Sequence, residues 1–128
     1  MSALSDYAEN KVLDVLGANA TFTTPSAVYL GLSLGAFNDD ASGTELTGSN
    51  YSRVAVSFGA ASSGTMSNDA AIEFAAATGT WGSVSHWALF DASSSGNMLV
   101  SGSFTSAKTI TSGDVLKIAV GDLDITAA

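Results

Sequence analysis

The chain holds one histidine, His86, which is the first residue to weigh for catalysis or metal binding. It stands between Ser85 and Trp87 inside an apolar run, and no second histidine or cysteine exists to complete a transition-metal site. Serines and acids are abundant, but no Gly-x-Ser-x-Gly elbow marks a nucleophile. The reading for His86 is a hydrogen-bonded histidine within a sheet. Asp39, Asp40 and Glu45 could hold a hard cation such as calcium, yet their spacing departs from an EF-hand loop. Asp91, Asp114, Asp122 and Asp124 fall at strand ends and turns, where aspartate bonds its local backbone. They do not read as the paired acids of a glycosidase cleft. There is no P-loop and no dinucleotide fingerprint. No catalytic, cofactor-binding or metal-ligating residue is assigned, so the expectation is a non-enzyme without a cofactor.

Cations are the scarcer chemistry. Four basic residues against twelve acidic ones leave a net charge of −8. That is too few to neutralise a phosphate backbone, which excludes nucleic acid and disfavours an anionic membrane surface. No stretch approaches the roughly 18–20 apolar residues of a membrane span. Asp6 and Glu9 occupy the region where a signal peptide needs a basic start, so a soluble chain with no export signal of its own is expected. The absence of cysteine removes disulfides. Arg53 is one of the four cations and lies, with Tyr51, on the outward face of a predicted strand. Two readings stay open for it. It pairs with acids of a neighbouring subunit, where arginine is favoured, or it forms a surface cross-strand salt bridge of little worth.

The elements that must position these residues are mostly strands. Thirteen glycines, a single proline and many Ser and Thr suit short strands and tight turns. The centre is the stretch Trp81–Phe104: two apolar runs flank Ser-Ser-Ser-Gly-Asn, the pattern of a hairpin. Alternation puts Trp81, Trp87 and Leu89 on one face and Val84, Ala88 and Phe90 on the other. Both tryptophans are here, which makes the hairpin the middle of the core rather than a sugar-stacking platform.

Leu4 to Leu16 reads as the one helix, with Leu4, Ala8, Val12, Val15 and Leu16 as its apolar stripe and Asp6 and Glu9 in its first turn. Gly17 stands where a left-handed C-terminal residue would close it. So short a helix must dock, on its own sheet or on a neighbour. Val28, Leu30, Leu32 and Leu34 then alternate in a half-buried strand. Residues 35–50 form an acidic, Gly-rich loop, and Tyr51–Phe58 a strand with Val54, Val56 and Phe58 inward. Short strands follow around 70–74, at 108–110 and at 115–120, with Leu123 and Ile125 closing the chain. The fold class expected is mainly β, an antiparallel β-sandwich or barrel-like domain with one N-terminal α-helix. Its expected division is a helix at 1–17 and a single β domain at 18–128.

The order of motifs carries a resemblance. Tyr29-Leu30-Gly31-Leu32, the acidic loop ending near Glu45, and Tyr51-Ser52-Arg53-Val54-Ala55-Val56-Ser57-Phe58 come first. Trp81-Gly82, Ala88-Leu89-Phe90-Asp91-Ala92, Gly96-Asn97-Met98-Leu99, Lys108-Thr109-Ile110, Gly113-Asp114 and Gly121-Asp122-Leu123 follow. From Leu4 nearly to Ile125 the chain resembles small structural proteins of tailed bacteriophages, labelled tail fibre or minor tail proteins. The resemblance implies a non-enzymatic virion component, assembled in the host cytoplasm, whose partners are the major capsid protein or tail proteins of the same virion. With no shaft repeat in the chain, the expectation leans to a capsid decoration or cement protein on the outer lattice. The alternative is a tail or tail-fibre component, including a host-glycan module that uses Tyr29, Tyr51 or the acidic loop. A homo-oligomer, dimer or trimer, is expected. The candidate interface residues are Leu4, Tyr7, Val12, Tyr51 and Arg53.

Overall fold

The computed structural model describes residues 2–127. In chain order the elements are β1 (Ser2–Leu4), α1 (Asp6–Leu16), β2 (Val28–Ser33), β3 (Val54–Val56), β4 (Thr65–Ser67), β5 (Ile72–Glu73), β6 (Gly82–Phe90), β7 (Met98–Ile110), β8 (Lys117–Ile118) and β9 (Asp124–Thr126). β2 and β6 are buried along most of their length, and both lie inside a five-stranded sheet, ordered β1-β7-β6-β2-β3. All its pairings are antiparallel. Two short ribbons, β4–β9 and β5–β8, form separate sheets. The principal core joins Leu30, Leu32, Val84, Trp87, Leu89 and Val100 of the large sheet to Ile72, Phe74, Leu116, Ile118, Leu123 and Ile125 of the ribbon layer. The mainly β, antiparallel fold with one N-terminal helix is the one expected. The sheets do not close into a barrel.

The opposite face of the large sheet carries a smaller cluster, Ala88, Phe90 and Met98, covered by Phe37 from loop 35–50. Val84 departs from simple alternation. The register shifts between Val84 and His86, so Val84 joins Trp87 and Leu89 in the principal core instead of Ala88 and Phe90. The segment 108–110 is not a separate strand either. It is the far end of β7, which continues past the irregularity. Other predicted strands are shorter than the pattern suggested: 51–58 contracts to β3 and 115–120 to β8.

The hairpin turn between β6 and β7 is held by Asp91. Its carboxylate accepts from the Asn97 backbone N–H at 2.7 Å and from Asn97 Nδ2 at 2.9 Å, and these bonds hold its pKa below the ordinary aspartate value. Gly96 has φ +76°, and a Cβ there would lie 2.7 Å from that of Ala92. Only glycine fits that corner.

The N-terminus corrects the expected helix start. Leu4 belongs to β1 and faces Val100 across an edge of the large sheet. The helix begins after Ser5, whose hydroxyl accepts from the Ala8 backbone N–H and donates to the Met98 carbonyl at 2.5 Å. Asp6 and Glu9 occupy the first turn as expected, but Gly17 is right-handed, with φ −104°, and Asn19 takes the positive φ instead. Residues 2–5 are therefore part of the large sheet, and the helix hangs from its edge.

Candidate functional site

Three of the five candidate interface residues meet. Leu4, Tyr7 and Val12 line one groove of about 380 Å³ between α1 and the β7 edge, with Val15, Leu16 and Phe22. The groove exists because α1 is anchored at one end only. Ser5 and β1 fix its N-terminus, while no residue of the helix itself is buried. Val12 is 43 % exposed, Leu13 67 %, Val15 41 % and Leu16 77 %. The apolar stripe is present as read from the sequence, and the chain's own sheet leaves it largely open. Contiguous exposed apolar surface of this kind marks a contact site.

Tyr51 and Arg53 form a different constellation, and the expected solvent exposure is overturned. Arg53 has a side chain only 8 % exposed. Its Nε donates to Glu45 Oε2 at 2.9 Å and its Nη2 to Glu45 Oε1 at 2.8 Å, a two-point pair. Nη1 donates to the carbonyls of Ala92 at 2.8 Å and Ser95 at 2.7 Å. The guanidinium lies 3.5 Å over the Phe90 ring, whose edge meets Phe37. One side chain thus ties loop 35–50, the approach to β3 and the β6–β7 turn. Neither open reading holds: Arg53 faces its own chain, and its pair with Glu45 is largely buried rather than superficial.

Tyr51 Oη donates to Glu45 Oε2 at 2.5 Å and accepts from the Leu32 backbone N–H at 2.9 Å. Gly31 leaves the room for this. A Cβ there would lie 2.8 Å from Glu45 Oε2 and 2.9 Å from Phe90. Burial first, then the bond to Glu45, pushes the Tyr51 phenol well above its ordinary pKa of 10.0. A raised folded pKa gives stability that is complete below the unfolded value and is lost as pH rises above it. The wild-type chain should therefore lose stability above about pH 10 with a slope that Tyr51→Phe reduces. Urea unfolding at a series of alkaline pH values checks this. Equal slopes for both proteins would refute it.

The remaining sequence candidates disperse. His86 bonds through Nδ1 to Ser85 Oγ at 2.7 Å, and that hydroxyl reaches the Leu34 carbonyl. It is a hydrogen-bonded sheet histidine, as read. Asp40 caps its own turn by accepting from the Ser42 backbone N–H at 2.9 Å, and its pKa is lowered by those Ser42 bonds. Glu45 is turned inward to Arg53, so the acids of loop 35–50 do not converge. Among the described residues, no group of three His, Cys, Asp or Glu side chains is arranged to hold a metal. Among the described residues no helix is long and apolar enough to cross a membrane. Trp81, Trp87 and Phe90 are buried, consistent with core packing.

Two partners of Arg53 escaped the sequence reading, Glu45 and Phe90. Neither is linked to it by periodicity: one sits in an irregular loop, the other two strands away in the sheet order. The only sequence signal was the rarity of arginine in so acidic a chain.

With the fold and these two constellations established, similarity becomes informative. No curated protein matches the chain. The family described as podophage GP4 fiber I protein gp80 matches residues 3–126, which begins within β1 and takes in the helix and strands β2 to β9. A match over nearly the whole chain agrees with the fibre-type resemblance and favours it over capsid decoration: this chain belongs to the family of the podophage GP4 fiber I protein gp80, a family of phage structural proteins.

Proposed function

We propose that this chain is a non-enzymatic structural subunit of a phage tail fibre, seated in the virion through the apolar groove beside α1. The observation that carries the reading is the fibre-family match over residues 3–126. The open groove gives it a physical means of attachment. Fibre subunits assemble by burying apolar surface, and here that surface projects from the sheet edge on a capped helix. Its partners are tail proteins of the same virion, including further copies of this chain as a dimer or trimer. A glycan platform built on Tyr51 has no support, because that hydroxyl is spent between Glu45 and Leu32.

Immunogold labelling of purified particles with an antibody to this chain tests the placement. Gold confined to the tail supports the fibre reading. Gold over the head would replace it with capsid decoration. The groove is tested by Val12→Lys and Leu16→Lys together, both at exposed helix positions that tolerate lysine. The doubly substituted chain should fold as wild type and lose most of its incorporation into particles. Undiminished incorporation would refute the groove as the seat. Point substitutions are cleaner than deleting residues 1–17, since that deletion would also strip β1 from the large sheet.

A further inference from the structure

Residues 2–16 sit on the fold as an arm fastened at its tip. β1 lies along the β7 edge with Ser2 opposite Gly102, Ala3 opposite Ser101 and Leu4 opposite Val100. The Ser5 N–H donates to the Leu99 carbonyl at 2.9 Å, and its buried hydroxyl donates to the Met98 carbonyl. The Asp6 N–H reaches the Asp39 carbonyl at 2.9 Å, and Ser2 Oγ accepts from the Thr126 backbone N–H at 3.0 Å. Beyond Asp6 the fastening stops. Among the described residues, no hydrogen bond joins residues 7–26 to the rest of the fold.

The helix has no buried residue, and the tether over residues 17–27 holds neither helix nor strand. This tether of about 11 residues spans roughly 36–40 Å when extended. A domain of this length has a radius of gyration of about 14 Å, so the tether reaches about as far as the body is wide. A tip that fits a defined socket and a tether that long are the two parts of an exchangeable arm.

We infer that copies of this chain assemble by arm exchange: residues 2–16 of one copy seat β1 on the β7 edge of the next. This deepens the fibre reading, on which it rests for its setting, by naming a second copy of the chain as the partner. Closed and exchanged arrangements make the same tip contacts, so the tip does not decide between them. The rest of the arm does. In a single copy Leu13 is 67 % and Leu16 77 % exposed, at the end of α1 that leads into the tether. Exchange places that end in the junction between two bodies, where its apolar side chains leave water. Charge argues against a simpler contact. Two copies at −8 repel, and a patch-to-patch dimer has only surface contacts to set against that repulsion. An exchanged arm carries over a whole set of sheet pairings. Because each copy gives one arm and receives one, exchange closes into a ring or runs on as a chain of copies.

Disulfide trapping tests this, since the chain has no cysteine and an introduced pair reports alone. Directly opposed strand residues lie about 4.5–5.5 Å apart, within the disulfide range of about 4.4–6.8 Å. Chains carrying Ala3→Cys and chains carrying Ser101→Cys are co-expressed, oxidised and run on a non-reducing gel. A disulfide-linked dimer of the two should dominate, and neither chain alone should give one. The chain carrying both substitutions should form covalent oligomers. If it runs instead as one internally bridged chain, the arm is closed and the proposal falls. Leu4→Cys with Val100→Cys repeats the reading in the same register if the first pair disturbs folding. Sedimentation of the unsubstituted chain adds a check free of substitutions: a monomer at every concentration overturns arm exchange. Gold labelling of particles is blind to all of this, so placement in the tail and arm exchange can each fail alone.

Discussion

Arg53→Ala should destabilise the fold by about 3–5 kcal/mol, the range expected when one partner of a buried ion pair is removed. The mechanism is specific. Glu45 is only 23 % exposed, and without Arg53 it keeps a charge with Tyr51 as its sole side-chain donor. The carbonyls of Ala92 and Ser95 lose their donor as well, and the Phe90 ring loses the plane stacked on it. Arg53→Lys should recover less than half of the loss. An ammonium keeps the charge but cannot form the two-point pair or lie flat on an aromatic ring.

The pair Lys117–Glu73 serves as an internal control. It spans 3.7 Å between side chains that are 67 % and 61 % exposed, so Lys117→Gln should change stability by less than about 0.5 kcal/mol. Urea denaturation followed by tryptophan fluorescence reads all three variants. A loss below about 1 kcal/mol for Arg53→Ala would show that Glu45 relaxes into solvent without cost.

The contrast between these two ion pairs shows what a linear sequence can and cannot carry. Local periodicity encoded the strand faces of Leu30, Leu32, Trp87 and Leu89 and the apolar stripe of α1, because neighbouring residues share one backbone geometry. It encoded the groove too, in that Leu4, Tyr7 and Val12 recur at nearly helical spacing, even though Leu4 sits in a strand. Arg53 was misread because alternation assigns a side, not an environment. From Val54 and Val56 inward it follows that Arg53 points to the other face, and that much is correct. The other face is itself covered, by loop 35–50 and the β6–β7 turn, which have no period to read. The β7 irregularity was equally silent. The sequence pattern breaks the strand after Phe104 and starts another at Lys108, and the extra residues of one continuous β7 become visible only when it is laid against β6.

Trp81→Ala should cost about 3–5 kcal/mol, as large as any core truncation in the chain. Trp81 lies just outside β6, yet its ring joins the aromatic group under the ribbon layer. It meets Tyr51 edge-on at 5.5 Å and Phe74 edge-on at 6.4 Å. Its Nε1 donates to the Ser49 carbonyl at 3.0 Å, fixing a loop where Ser49 and Asn50 both hold positive φ. Truncation would leave a cavity, free two residues from the contact that offsets their backbone strain, and remove the wall behind Tyr51. Because Tyr51 also holds Glu45, the loss should reach the Arg53 stack: Trp81→Ala and Arg53→Ala combined should destabilise by less than the sum of the two. Trp81→Phe keeps most of the ring contact and loses the hydrogen bond, so it should cost about 1–2 kcal/mol. Thermal unfolding separates the two substitutions, since 3–5 kcal/mol corresponds to a Tm fall of roughly 10–20 °C in a domain of this size. If Phe and Ala cost the same, the stabilising element is the bond to Ser49 rather than the aromatic packing. If the double variant is additive, the two clusters are energetically separate despite sharing Tyr51.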